Sequence, residues 1–419
     1  MGNLFGTDGI RGIANEKITA ETALNLGKAF AINLSKNACF RRVIVGCDTR
    51  TSGQMLVSAF VAGLNSQGFS AVLPNILPTP ALSYLTRSLD VDGGVMITAS
   101  HNAPEFNGIK FYDKDGNKLE KVEQDNIEKI YFEIDSYLGC EPMEIGSNEE
   151  NEDLTKLWVD HLIDMLKVPS LNGLKIALDC ANGAAFAIAP YVFKSLGAVV
   201  TSYNNFDNGA KINVDCGSTH IDGFIAECVS NGVDWGFSFD GDADRLLVVS
   251  STGELLDGTD ILYIFAKYLK DKGELPHDTV VSTIITNCGL EHSLEKLGIK
   301  MVSTQVGGLF IQREMLAHGY CLGGEENGHI MYDTISPESC GITAALMLLK
   351  IVSECGNVEK LLAGLERTKV VNADIPVSER QKVKVASGAL DDYVNEFENA
   401  LGSNCLLYTS DAADEEDSV

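Results

Sequence analysis

The sequence predicts an α/β protein built from three successive units, followed by the start of a fourth. Three observations predict it. Short apolar runs bounded by turn residues alternate with longer helical patterns along the chain, as expected of strands joined by crossover helices in parallel sheets. Each of three successive stretches carries one polar loop after a strand: Thr98-Ala99-Ser100-His101-Asn102, Asp240-Gly241-Asp242-Ala243-Asp244-Arg245 and Gly323-Gly324-Glu325-Glu326-Asn327-Gly328-His329. At 419 residues and 45% hydrophobic, the chain is long enough to bury several cores.

In chain order, residues 42–46 read as a strand, with Cys47-Asp48-Thr49-Arg50 as the loop into a helix over about 53–66. The apolar run 94–97 is a buried strand, residues 113–116 a turn, and the acid-rich 141–153 a linker or exposed loop. A second unit opens with the strand 174–179 and enters a helix after Ala181-Asn182-Gly183-Ala184. Its strand 235–239 leads to the acidic loop, and 246–250 meets a Thr252-Gly253 turn that reads as a hairpin. The third unit, from about 257, holds a strand over 279–286 and a long helix over 341–355. The expected divisions are 1–150, 151–256, 257–366, a partial fourth unit over 367–404, and a tail over 405–419.

Charge and cysteine usage exclude several function classes. Acidic residues outnumber basic ones 59 to 32, for a net charge of −27, a field that repels nucleic acid and anionic lipid. A sugar phosphate would be repelled too, so arginines and lysines must invert the potential locally. The 11 cysteines are scattered, with no C-x-x-C pair, and read as small hydrophobes in a reducing cytosol. No run reaches the ~18 apolar residues of a membrane span, and the N-terminus carries no secretory pattern. A cytoplasmic protein is expected.

The loops carry the chemistry. Ser100 stands at the C-terminal end of a strand, where open α/β sheets place ligands. Asp240, Asp242 and Asp244 alternate on one loop, and like charges that close raise one another's pKa unless a cation intervenes. A hard divalent ion suits three carboxylates. An EF-hand would need glycine sixth and glutamate twelfth, where Arg245 and Ser251 stand. Arg245 beside such a site suggests a phosphate held bidentately. Glu325, with glycines around it, can accept hydrogen bonds from sugar hydroxyls. Phe5-Gly6-Thr7-Asp8-Gly9-Ile10-Arg11-Gly12 suggests one more ordered polar loop.

Six segments, FGTDGIRG at 5–12, GCDTRTSG at 46–53, TASHNAPEFNGIKFY at 98–112, INVDCGSTH at 212–220, DGDADR at 240–245 and GGEENGHI at 323–330, occur in the order found in the α-D-phosphohexomutases. From about residue 3 to about 404 the chain resembles that family, and FGTDGIRG and CGSTH resemble its glucosamine-phosphate branch. The resemblance implies three phosphohexomutase-type α/β domains around a central cleft, then a fourth α+β domain. It implies a phosphorylated Ser100. It also implies Mg²⁺ on Asp240, Asp242, Asp244 and a phosphoserine oxygen, with Arg11, His101, Lys110 and Arg245 around the transferring phosphoryl group. Lys110 is the candidate general acid/base, and Gly324, Glu325, Asn327 and His329 are the implied sugar contacts. The implied reaction converts glucosamine 6-phosphate to glucosamine 1-phosphate, with glucosamine 1,6-bisphosphate as intermediate and activating donor. The implied partner is a hexosamine phosphate, with a homodimer as the candidate assembly. A phosphomannomutase or phosphoglucomutase, a Mg²⁺-dependent phosphohydrolase and a non-catalytic remnant are the alternatives.

The chain departs from the family pattern in places. Asn327 replaces the serine of GExSG, Ala103 replaces the proline after TASHN, and Thr304-Gln305-Val306-Gly307-Gly308-Leu309 lacks the lysine, aspartate and arginine of TKVGDR. No RPSGTEP-type phosphate loop occurs. The fourth domain is expected to be truncated, residues 405–419 to be a disordered acidic tail foreign to the family, and mutase activity to be low as a result.

Overall fold

The structure is a computed structural model that describes residues 4–6 and 8–368. The expected fourth unit beyond residue 368, and the tail, lie outside the described residues. What is described forms three sheets with helices around them.

The first sheet contains β1 (Ile10–Ile13), β2 (Arg42–Cys47), β3 (Ser70–Leu73), β4 (Gly93–Ile97), β5 (Phe106–Tyr112) and β6 (Asn148–Glu150), in the order β1-β5-β4-β2-β3-β6. Its helices are α1 (Ala20–Leu34), α2 (Gly53–Asn65), α3 (Thr79–Ser88) and α4 (Lys121–Phe132). Thr19 caps α1 by accepting from the Thr22 amide. The helix α2 follows the predicted one closely. Strands β2, β3, β4 and β6 run parallel, while β5 returns antiparallel to both β4 and β1. The expected parallel arrangement does not extend to β5, because the loop from Ile97 to Phe106 is too short for a crossover helix. The acid-rich segment expected as a linker also differs, since Asn148–Glu150 pairs with β3 as an edge strand, all three residues exposed. An edge strand uses its backbone and keeps its charges in water, so composition alone hid it.

The second sheet holds β7 (Lys175–Asp179), β8 (Val199–Tyr203), β9 (Trp235–Phe239), β10 (Leu246–Ser250) and β11 (Leu255–Leu256), ordered β11-β10-β9-β7-β8, with α5 (Leu154–Leu166), α6 (Ala185–Ser195) and α7 (Asp222–Asn231). Strands β10 and β11 form the expected hairpin. The third sheet holds β12 (Thr279–Thr283), β13 (Lys300–Thr304), β14 (Leu322–Gly324) and β15 (Ile330–Tyr332), ordered β13-β12-β14-β15, with α8 (Gly258–Lys272), α9 (Cys288–Lys296), α10 (Gly308–His318), α11 (Gly341–Cys355) and α12 (Val358–Leu361). Strand β12 ends earlier than expected, because Thr286 turns back and its Oγ1 accepts from the Thr283 amide at 3.2 Å. Asp257 caps α8 in a capping box with Asp260.

The three sheets share an interior. Ile44, Leu82 and Tyr112 from the first, Phe193 and Phe237 from the second and Leu262 and Leu346 from the third belong to one continuous buried cluster. A second cluster, with Phe30, Phe60 and Phe111, fills the other face of the first sheet. All described cysteines are free thiols, and no described helix is long and apolar enough to cross a membrane.

Candidate active site

The predicted loops converge where the three sheets meet. Ser100 begins the turn after β4 in a left-handed conformation, φ 49°, and is 2% exposed. Its Oγ donates to Asp240 Oδ2 at 2.7 Å and lies 3.3 Å from His101 Nδ1. The loop is gripped from both sides. Arg50 is buried, pairs with Asp48 at 3.0 Å, and donates to the carbonyls of Ser100 (2.9 Å), Asn102 (2.7 Å), Ala103 (2.5 Å) and Phe106 (2.8 Å). From the second unit, Asn213 Nδ2 donates to the same Ser100 and Asn102 carbonyls at 2.8 and 3.0 Å. Gly241 lets the acidic loop come this close, since a Cβ there would lie 2.4 Å from the Ser100 carbonyl oxygen.

The three aspartates present ligand oxygens within 4.8 Å of one another, and all three are buried. Burial, then Asp244 and Asp242, raises the Asp240 carboxyl well above its ordinary value. Asp244 goes the other way: burial would raise it, but Lys110, His329 and Arg245 outweigh that and hold it low. Asp242 Oδ1 and Asp244 Oδ1 are buried without a hydrogen-bond partner, whereas Asp242 Oδ2 accepts from Thr79 Oγ1 at 2.5 Å. Buried carboxylate oxygens with no donor are costly, and a hard divalent cation satisfies them. The donor set fits such an ion.

Cations surround the carboxylates. Lys110, on β5, places Nζ 3.0 Å from Asp242, 3.3 Å from Asp244 and 2.9 Å from Asp8. Burial would lower its pKa, but Asp242, Asp8 and Asp244 together hold it well above the ordinary lysine value. Arg11, on β1, donates to Asp8 at 2.7 Å and to Asn102 Oδ1 at 3.1 Å. Burial, then the charges of Arg245 and Arg11, pushes His101 well below the ordinary imidazole value. The Arg245 amide donates to Asp240 Oδ1 at 3.2 Å, and its backbone bridges to that of His329.

The third loop closes the group. Gly324 ends β14, Asn327 Oδ1 accepts from the His329 amide at 3.1 Å, and His329 Nδ1 lies 3.4 Å from Glu325 Oε2. Burial would raise the Glu325 carboxyl, but His329 and Arg245 lower it overall. The segment 304–309, which lacks the polar side chains of TKVGDR, meets this loop through its backbone. The Gly307 amide donates to Glu325 Oε1 at 3.4 Å, and Gly308 leaves room for the His329 ring, whose Cε1 would lie 2.4 Å from a Cβ there.

All twelve sequence-predicted site residues therefore lie at or beside one centre. The sequence missed Asp8, Arg50, Thr79, Lys118, Asn213 and Glu338. Asp8, Arg50 and Asn213 sat inside recognisable motifs without an assigned role. Thr79, Lys118 and Glu338 carried no local signal.

Comparison with known proteins agrees with this geometry. The family description "Phosphoglucomutase/phosphomannomutase, alpha/beta/alpha domain I" matches residues 2–138, that of domain II residues 156–253 and that of domain III residues 257–368. The "Phosphoglucosamine mutase" of Clostridium acetobutylicum is 42% identical over 407 residues, covering 96% of this chain and 90% of that protein. The protein of the same name from Clostridium novyi is 42% identical over 383 residues, covering 90% of this chain and 84% of that one. A solved phosphoglucomutase/phosphomannomutase family protein from Burkholderia thailandensis superposes with a TM-score of 0.78 at 25% identity, over 87% of this chain and 80% of that one. The chain belongs to the phosphoglucomutase/phosphomannomutase family of α-D-phosphohexomutases.

Proposed function

We propose that this phosphohexomutase is an intramolecular phosphotransferase that interconverts glucosamine 6-phosphate and glucosamine 1-phosphate in the cytoplasm. The observation that carries the reading is the fixed Ser100 hydroxyl, 2.7 Å from Asp240 within a cluster of three buried aspartates. The names of the clostridial relatives support the sugar.

In this reading the first unit (1–150) supplies the phosphoserine, the second (151–256) the acidic loop and the third (257–366) the sugar contacts. Ser100 carries the phosphoryl group. The Oγ–P bond breaks as a bond from phosphorus to the sugar O1 forms, with the O1 proton passed on to the departing Oγ, giving glucosamine 1,6-bisphosphate. After the bisphosphate turns over, Ser100 Oγ bonds to the 6-phosphoryl as the P–O6 bond breaks, the Oγ proton passes to O6, and glucosamine 1-phosphate leaves. Such transfers ask the protein chiefly for positioning and charge stabilisation. Arg11, Lys110 and Arg245 offset the charge of the phosphoryl oxygens. Lys110 is the candidate general acid/base, and His101, whose Nδ1 lies 3.3 Å from Ser100 Oγ, can relay a proton at that oxygen. Asp240, Asp242 and Asp244, with a phosphoserine oxygen, would hold Mg²⁺, which when bound neutralises charge on the transferring group. Gly324, Glu325, Asn327 and His329 bind sugar hydroxyls, and glucosamine 1,6-bisphosphate serves as activating donor.

The test is intact mass after incubation with a hexose 1,6-bisphosphate, alongside a coupled assay for glucosamine 1-phosphate. One phosphate should be added, and none to Ser100→Ala. Phosphate uptake by Ser100→Ala would remove the serine from its role. Preferential turnover of glucose or mannose phosphates would overturn the sugar.

A further inference from the structure

A line of buried charges links the third sheet's loops to the reaction centre, and no motif accounts for it. Lys118 lies between β5 and α4. Its side chain is 8% exposed, with Nζ 2.7 Å from Asp8 Oδ1 and 3.4 Å from Glu338 Oε2. Glu338 is fully buried. One of its oxygens accepts from Tyr112 Oη at 3.3 Å and the other from the Ser339 amide at 3.0 Å. The Lys118 backbone is tied to the same region, since its amide donates to Gln312 Oε1 at 3.1 Å and Gln312 Nε2 donates to the Pro337 carbonyl at 2.6 Å. Asp8 is the hinge of the line. Its Oδ1 faces Lys118, while its Oδ2 faces Lys110 at 2.9 Å and Arg11 at 2.7 Å.

We propose that Lys118 is a positioning residue for phosphoryl transfer: held by Glu338, it fixes the Asp8 carboxylate, and Asp8 in turn sets where the Lys110 ammonium and the Arg11 guanidinium stand. Asp8 must divide two oxygens among three cations. With Lys118 occupying Oδ1, Lys110 and Arg11 share Oδ2, and Lys110 is left at hydrogen-bonding distance from Asp242 and Asp244 as well. Without Lys118, the buried Oδ1, which makes no hydrogen bond of its own, loses its ion-pair partner, and Lys110 or Arg11 would swing away from the phosphoryl position to replace it. Glu338 would then be a buried carboxylate without its ammonium partner, which is strongly unfavourable. The line also makes the correct placement of Lys110, on the first sheet, depend on the docking of the loop before α11. Lys118 itself touches neither Ser100 nor the aspartate cluster through any described hydrogen bond, so it acts through Asp8.

The inference rests on the mutase reading for its kinetic arm and on geometry alone for its spectroscopic arm. Lys118→Met, Lys118→Arg and Glu338→Gln are compared with the wild-type chain. Rates are normalised to the fraction of Ser100 that accepts phosphate, and the buried lysine ammonium resonances are followed by ¹⁵N NMR. In Lys118→Met, kcat should fall about 10–100-fold, as for supporting residues around a reaction centre, with KM within about twofold, because ground-state binding is untouched. Lys118→Arg should recover most of the loss. The Lys110 ammonium resonance should move in Lys118→Met and in Glu338→Gln. If Lys118→Met does not fold, Glu338→Gln and Lys118→Arg decide through the same readouts. An unmoved Lys110 resonance in a folded variant overturns the proposal, and so does a kcat loss matched by an equal rise in KM. If the wild-type chain proves to have no mutase activity, the function reading fails by itself, and the resonance still decides the positioning role.

Discussion

Replacing Gly241 by alanine isolates how much the reaction depends on the distance between the serine loop and the acidic loop. Gly241 is not in the left-handed region, so alanine adds no backbone strain, and only space is at issue. The new Cβ would lie 2.4 Å from the Ser100 carbonyl oxygen, 2.9 Å from Ile212 Cδ1 and 3.0 Å from Asn213 Nδ2. The isoleucine methyl can rotate aside. The other two cannot yield cheaply, because Asn213 Nδ2 donates to the Ser100 and Asn102 carbonyls and Arg50 holds the same oxygens. The 2.4 Å contact falls about 1 Å short of ordinary van der Waals separation, so the loops must part by that amount, and the 2.7 Å Ser100–Asp240 hydrogen bond must lengthen with them. Overpacking of this kind costs about 1–3 kcal/mol, and a 1 Å misplacement at a reacting group costs on the order of 10²-fold in rate. We expect Gly241→Ala to fold with a modestly lowered Tm, to retain its three-aspartate cation site, and to lose about two orders of magnitude in kcat/KM for glucosamine 6-phosphate. Activity within threefold of wild type, with a normal melting curve, would refute the claim that this spacing governs transfer.

Arg50→Lys should destabilise the chain and slow Ser100 phosphorylation, because an ammonium cannot reach Asp48 and four carbonyls at once and each hydrogen bond lost is worth about 0.5–1.5 kcal/mol, even where Asn213 still holds the carbonyl. Urea unfolding and the phosphorylation rate check this, and unchanged values for both would show the grip to be dispensable. Asp242→Asn should weaken Mg²⁺ binding in calorimetry by about 1–3 kcal/mol, and an unchanged affinity excludes Asp242 as a ligand. The pH dependence has a defined sign. Burial and then Asp244 and Asp242 raise the Asp240 carboxyl above its unfolded value. In cation-free protein its ionisation therefore opposes the fold above that raised value, and the opposition vanishes as pH falls and the proton returns. Added Mg²⁺ should accordingly raise Tm more at about pH 8 than at about pH 5, and a shift independent of pH would contradict the assignment.

Much of the fold and of the site was legible in the sequence. Ser100 and the aspartates of 240–244 could be found because each set lies on a single loop, where chemistry and spacing are both local. The helix over 341–355 and the hairpin at 246–256 followed from periodicity and a Thr-Gly turn. What stayed hidden is what only tertiary structure brings together. Lys118 and Glu338 are 220 positions apart in the numbering and meet through folding alone. Asn213 sat in a recognisable segment, but its role comes from touching a loop of another sheet. The antiparallel return of β5 was missed because strand patterns carry no direction, and β6 because its residues face solvent throughout.

The double grip on the Ser100 loop has a consequence for how such a protein can change over generations. The carbonyls of Ser100 and Asn102 each accept one hydrogen bond from Arg50 and one from Asn213, so the shape of the loop is inherited from two regions of the gene at once. Recombination between relatives that exchanged the first region alone would pair one lineage's serine loop with another lineage's clasp. Crossovers that keep both regions together should leave working descendants, while those falling between them should leave folded but slow ones. The first two regions are then expected to travel as a single heritable block.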